Sequence, residues 1–204
     1  MRIQFMSDYR SPYCYLANVK LKTMGVSIEH KPLDIVAVMK LVNNQPSPMC
    51  PPKARYAAID AQRWAKLYQV KFSPNWTVLK AMNTGLFDGA SLSRAALVAQ
   101  RLGIFDQLND ALFEAMWAGD DDLASEEGRN NFLKSRKIAA DDLWRLASEP
   151  KILALQVEQA KKAADRGVFG APTIFVGDEM FFGNDRLSFV EALLNGRSPA
   201  GAIA

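Results

Sequence analysis

The feature that most restricts this chain is a change of hydrophobic period along its length. Both ends carry short alternating, strand-like runs, and the stretch between them repeats at helical spacing. At the start, Ile3 and Phe5 alternate with polar neighbours, and Asp8-Tyr9-Arg10-Ser11-Pro12 then signals the start of a helix. Ser11 reads as the N-cap and Pro12 as the first helical residue. The first N–H groups of a helix lack intrahelical partners, and the fixed φ of proline already suits that position. Tyr13, Leu16, Ala17, Val19 and Leu21 supply apolar faces until Gly25 stops the helix, and a second strand is expected over 26–33. Near the other end, Thr173-Ile174-Phe175-Val176 and Glu179-Met180-Phe181-Phe182 read as strands around a Gly177-Asp178 turn, with a closing helix over 186–194.

The middle differs. Asn43-Asn44-Gln45-Pro46-Ser47-Pro48 and Pro51-Pro52 form a breaker-rich loop, after which 53–166 reads almost wholly helical. Tyr56, Ile59, Trp64 and Leu67 mark one amphipathic helix, with Asp60 on its polar rim. Others are expected over 92–102, 105–117, 123–135, 140–147 and 150–166. Met82, Met116 and Trp117 read as helix core. The expectation is an α/β fold in which a β-α-β half, 1–40, and a β-β-α half, 167–204, are separated by an all-helical insertion over 41–166.

Composition bounds the function. With 204 residues, 49% hydrophobic and 23% charged, the chain can bury a sizeable core. Its formal charge of +3 comes from 25 basic and 22 acidic residues spread along the sequence. There is no continuous basic stripe, so a nucleic-acid partner is not expected. No apolar run reaches the ~18 to 20 residues that span a bilayer, and the N-terminus lacks the pattern of an export signal. Cys14 and Cys50 are not a close dithiol pair, which suits a reducing cytoplasm without a structural disulfide. His30, the only histidine, is expected to be structural, and no metal-ligand spacing exists.

Two constellations carry chemistry. Ser11-Pro12-Tyr13-Cys14 lies at a strand-to-helix junction, where redox proteins carry Cys-x-x-Cys because the helix N-terminus stabilises a thiolate. With serine in the attacking position the dithiol cycle is lost, whereas a hydroxyl there can donate to a thiolate brought by another molecule. Taken alone, Ser11 reads first as a plain N-cap. The second constellation is Gly167-Val168-Phe169-Gly170-Ala171-Pro172-Thr173 just before a strand. It resembles the cis-proline loop of thioredoxin-fold proteins, the alternative being a trans-proline at a strand start.

Together with Asp8, Tyr15-Leu16-Ala17, Arg63-Trp64-Ala65 and the segment Gly177-Asp178-Glu179-Met180 leading to Gly183-Asn184-Asp185-Arg186, these motifs resemble, end to end, a DsbA-related group. That group contains kappa-class glutathione transferases and 2-hydroxychromene-2-carboxylate isomerases. Cys14 departs from the serine these isomerases often carry, leaving a residual thiol chemistry open beside the reading of a small buried hydrophobe.

The resemblance implies a thioredoxin-like fold with glutathione as cofactor, a small aromatic carboxylate as substrate, and a homodimer. It implies that Ser11 is catalytic and lies near the glutathione sulfur, that Ala171 beside Pro172 pairs with the glutathione backbone, and that Asn184, Asp185 and Arg186 hold the γ-glutamyl end. Without the resemblance, Asp185 reads equally as a plain N-cap of the last helix. Asn44 and Lys53 correspond to a stretch that reaches the glycine end and the substrate mouth, and Asn83 to a substrate-pocket asparagine. The activity implied is interconversion of 2-hydroxychromene-2-carboxylate and trans-o-hydroxybenzylidenepyruvate in aromatic-compound breakdown. A kappa-type transferase or peroxidase, and a DsbA-like thiol oxidoreductase, are the alternatives.

Overall fold

The computed structural model describes residues 2–196. Position 1 and residues 197–204, the outer ends of the two terminal segments expected above, lie outside them. In chain order the elements are β1 (Arg2–Ser7), α1 (Pro12–Lys22), β2 (Ser27–Pro32), α2 (Ile35–Leu41), α3 (Pro51–Tyr68), α4 (Trp76–Asn83), α5 (Ala90–Leu102), α6 (Phe105–Trp117), α7 (Glu126–Ser135), α8 (Leu143–Ala147), α9 (Pro150–Asp165), β3 (Thr173–Val176), β4 (Glu179–Phe182) and α10 (Leu187–Leu194).

The two β-bearing halves meet in one four-stranded sheet of order β2-β1-β3-β4. β1 and β2 are parallel and joined through α1, the crossover that a parallel pair requires. β1 pairs antiparallel with β3, setting Phe5 opposite Ile174, and β3 pairs antiparallel with β4. The central strand β3 is covered on both faces, all four of its residues being buried. Met6 and Phe175 share a core with Leu33, Ile35, Val38, Ala160, Ala163 and Val168. His30 faces Phe5 across the β1–β2 register with its ring edge-on at a centroid distance of 5.7 Å, a packing role.

The described residues divide into two compact units, 2–70 with 160–196, and 71–159. These limits differ from the change of pattern at 41 and 166. The first helix after the breaker-rich loop, α3, belongs to the sheet-bearing unit, as does α9 from Ala160 onward. The second unit is helical. It buries Leu92, Leu108, Leu112, Phe113, Met116, Leu123 and Phe132 around α5, α6 and α7. Within it the buried Arg94 guanidinium donates to the Ala147 carbonyl, Gln156 and Asp88 at 3.0, 3.2 and 2.6 Å. Among the described residues no helix is long and apolar enough to cross a membrane.

Candidate functional site

Ser11 is the N-cap of α1, with extended backbone. Its Oγ accepts from the Cys14 N–H at 3.3 Å and donates to the Ala171 carbonyl at a long 3.4 Å. One hydroxyl therefore bridges the start of α1 and a loop 160 residues away in sequence. The 11-residue helix it caps begins with Pro12, carries no acidic residue in its first turn, and has Lys20 and Lys22 in its last. The N-terminal end is left electropositive, suited to an anion.

The loop opposite is held from several directions. Ala171–Pro172 is a cis peptide bond, as the glycine-flanked motif leads one to expect. The Pro172 carbonyl accepts from the Gly183 N–H at 2.9 Å, and Thr173 Oγ1 donates to the Gly170 carbonyl at 2.8 Å. At Gly170 a Cβ would come within 2.6 Å of the Phe182 ring, so a larger residue there requires that ring to shift. Phe182 also packs against Phe169 at 4.6 Å between ring centroids. Asn44 Nδ2 donates to the Phe169 carbonyl at 2.8 Å, which joins the loop after α2 to this segment.

The segment before α10 starts at Gly183, whose φ of 102° lies in a region open chiefly to glycine. Asn184 is buried, its carbonyl accepts from the Tyr68 hydroxyl at 3.2 Å, and its side-chain Nδ2 has no hydrogen-bond partner among the described residues. An orphaned buried donor costs free energy unless a further group meets it. Asp185 and Arg186 form a half-exposed ion pair at 2.6 Å. Asp185 does not cap α10, since Arg186 occupies the N-cap position and makes no side-chain capping bond.

Behind Ser11 the backbone is fixed by a buried carboxylate. Asp8, wholly inaccessible, accepts from the Arg10 N–H and Nε at 2.9 Å, from Arg10 Nη2 at 2.5 Å and from the Ile35 N–H at 2.9 Å. The same guanidinium reaches Asp34, the N-cap of α2, at 2.6 Å. Burial alone would make Arg10 easier to deprotonate, and the two carboxylates reverse that, holding it firmly cationic.

Lys53 is exposed near the start of α3 and lines an open cavity of about 370 Å³ with Tyr13, Ser47, Pro52, Tyr56 and Ala57. Ser11, Asn44, Lys53, Ala171, Pro172, Asn184, Asp185 and Arg186 thus all belong to the first unit. Asn83 is exposed at the last position of α4 in the second unit. Two contributors had no readable role in the sequence. Arg10 lacks any motif, and Asp60 carried only the polar-rim signal of an amphipathic helix, whereas in the fold it accepts hydrogen bonds from Tyr13 and Tyr56. Cys14 is fully buried, and burial pushes its pKa up to about 12.

Comparison with known proteins adds to this geometry. A DSBA-like thioredoxin domain matches residues 2–195. The chain is 34% identical to a 2-hydroxychromene-2-carboxylate isomerase of Pseudomonas sp. (strain C18), over 95% of this chain and 90% of that one. It is 26% identical to glutathione S-transferase kappa 1 of Caenorhabditis elegans, over 97% and 92%. A solved structure of a 2-hydroxychromene-2-carboxylate isomerase superposes with a TM-score of 0.79 at 25% identity, covering 96% of this chain and 95% of the other.

Proposed function

Since the chain belongs to the 2-hydroxychromene-2-carboxylate isomerase family, enzymes built on a DSBA-like thioredoxin domain, we propose that it catalyses the glutathione-dependent interconversion of 2-hydroxychromene-2-carboxylate and trans-o-hydroxybenzylidenepyruvate. The observation that carries the reading is Ser11: a hydroxyl at the electropositive start of α1, long-bonded to the carbonyl before the cis-proline, where a disulfide oxidoreductase needs a thiolate.

The residues present suit glutathione, an anionic tripeptide with two carboxylates, an ammonium and a thiol. Ser11 has a weakly held proton that can turn from the Ala171 carbonyl to a sulfur anion, and the N–H groups at the start of α1 add to the same field. Ala171 and Pro172 offer backbone to a peptide-like ligand. Asn184 brings an unmatched donor, Asp185 a carboxylate for an ammonium, and Arg186 and Lys53 cations for carboxylates. Asn44 steadies the loop they flank. When bound, glutathione supplies a nucleophilic sulfur for reversible attack on a conjugated carbon, and it is returned unchanged. Ser11 lowers the cost of ionising that sulfur and fixes its direction. Asn83 and Lys53 are the proposed substrate-binding residues, for a small aromatic carboxylate. The same reading includes a homodimer in the cytoplasm, working in aromatic-compound breakdown.

The kappa-class relative favours a second reading, in which an electrophile consumes the thiol. Thiol accounting separates the two. If free thiol stays constant while the absorbance of the chromene changes, the protein is an isomerase. If thiol disappears in proportion to product, it is a transferase.

A further inference from the structure

One arrangement in the first unit has no part in glutathione binding as described. Tyr13 stands in the first turn of α1, and its phenol donates a 3.0 Å hydrogen bond to Oδ2 of Asp60 on α3. Tyr56, one turn before Asp60 on the same helix, donates to Oδ1 at 3.3 Å. Both tyrosines line the open 370 Å³ cavity that Lys53 also lines, and that volume lies within the roughly 300 to 1,000 Å³ typical of small-molecule sites.

The hydrogen-bonding capacity of this wall follows from counting protons. A phenol has one proton to donate and lone pairs with which to accept. Burial, and then the bond to Asp60, push the Tyr13 pKa upward, so the phenol remains protonated near neutral pH. Its proton is committed to Asp60, and what its oxygen has left to offer a ligand is an acceptor. Lys53 offers the opposite, a cation with only donors. A ligand matching both carries a carboxylate and a hydroxyl, and the rings of Tyr13 and Tyr56 suit an aromatic body between them.

We propose that Tyr13, held by Asp60, is a specificity-determining residue: its phenolic oxygen accepts a hydrogen bond from a substrate hydroxyl while Lys53 takes the carboxylate, so the cavity selects aromatic carboxylates with a free hydroxyl. The substrate class rests on the isomerase reading, in which both interconverting forms carry a carboxylate and a hydroxyl. The hydrogen-bonding logic of the wall rests on the geometry alone. An analogue without the hydroxyl gives the Tyr13 oxygen no donor, so the discrimination expected is that of about one hydrogen bond.

The test uses stable analogues that are not turned over. Calorimetric titration of the whole protein compares trans-o-hydroxycinnamate with trans-cinnamate. The hydroxylated ligand is expected to bind about tenfold more tightly, on the order of one neutral hydrogen bond. Tyr13→Phe, which keeps the ring, should bring that ratio to about one. Asp60→Asn should lower it as well, because an amide can donate to the phenol and free its proton. Lys53→Met should weaken both ligands equally and leave the ratio intact. A ratio of one in the unaltered protein, failure of both ligands to bind, or a tenfold preference persisting in Tyr13→Phe overturns the proposal. Should Tyr13→Phe fail to fold, Asp60→Asn reads the same prediction. Hydroxyl preference without isomerase turnover would sink the catalytic reading and leave this one standing.

Discussion

Cys14 lies three residues beyond Ser11, in the position that a second redox cysteine would hold, and its surroundings remove that chemistry. Its thiol is enclosed beside the Asp8 N–H, and burial raises its pKa from 9.0 to about 12. A thiol held protonated is neither nucleophile nor metal ligand. Cys50, the other free cysteine, is partly accessible at the start of α3. A chromogenic thiol reagent at pH 8 is expected to react with Cys50 in the native protein and with Cys14 only after denaturation. The same shift predicts alkaline sensitivity. The folded state keeps the Cys14 proton where the unfolded chain releases it, so this contribution to stability is complete below pH 9 and is lost as pH climbs toward 12. The urea midpoint should fall across that window, and Cys14→Ala should make the fall shallower.

Among the elements, the starts of α1 and α2 are tied together by one carboxylate. Asp8 accepts from the Ile35 N–H and is clamped by Arg10, which also holds Asp34. Replacing Asp8 by alanine removes the buried partner of Arg10, leaving it the Asp34 carboxylate, and leaves the Ile35 N–H unmatched. A cost of roughly 3 to 5 kcal/mol in equilibrium denaturant unfolding is expected. Asp8→Asn, which keeps an acceptor for Ile35, should cost less. Nothing local in the sequence announces this, because the partners lie 24 to 27 residues apart. The elements themselves were far more legible. Ser11 and Pro12 marked the start of α1, and α5, α6 and α9 followed their apolar spacing, whereas α3 forms with Tyr56, Ile59 and Leu67 of its expected stripe exposed and with Ala61 and Ala65 buried instead. The short α2 escaped because its seven residues sit just before the breaker-rich loop. Helices α7 and α8 begin three residues later than expected, since Leu123 and Ala140 are buried by tertiary packing outside any helix.

At the scale of the whole molecule, the reversal from strand period to helix period and back was enough to read two β-bearing halves around a helical insertion, and the sheet joins those halves as expected. The limits of the compact units were not legible, because whether α3 packs with the sheet or with the insertion depends on contacts that its own amphipathic stripe does not name. The site is legible in the same proportion. Ser11, Ala171 and Pro172 belong to motifs with local signals, and the fold brings the Ser11 hydroxyl to the Ala171 carbonyl beside Pro172. Asn184 and Asn44 gain their meaning from a buried orphan donor and a long-range bond that only the fold creates.

The most direct measurement is the initial rate at which purified protein converts 2-hydroxychromene-2-carboxylate, followed spectrophotometrically with and without glutathione, for the natural chain and for Ser11→Ala. Conversion should require glutathione and should fall by about two orders of magnitude or more in Ser11→Ala, as when a single aligned donor is removed from a developing anion. That variant should stay folded, with a capping loss of roughly 0.5 to 2 kcal/mol. Conversion at an equal rate without glutathione, or at an undiminished rate in Ser11→Ala, would contradict a serine-held, glutathione-dependent isomerase.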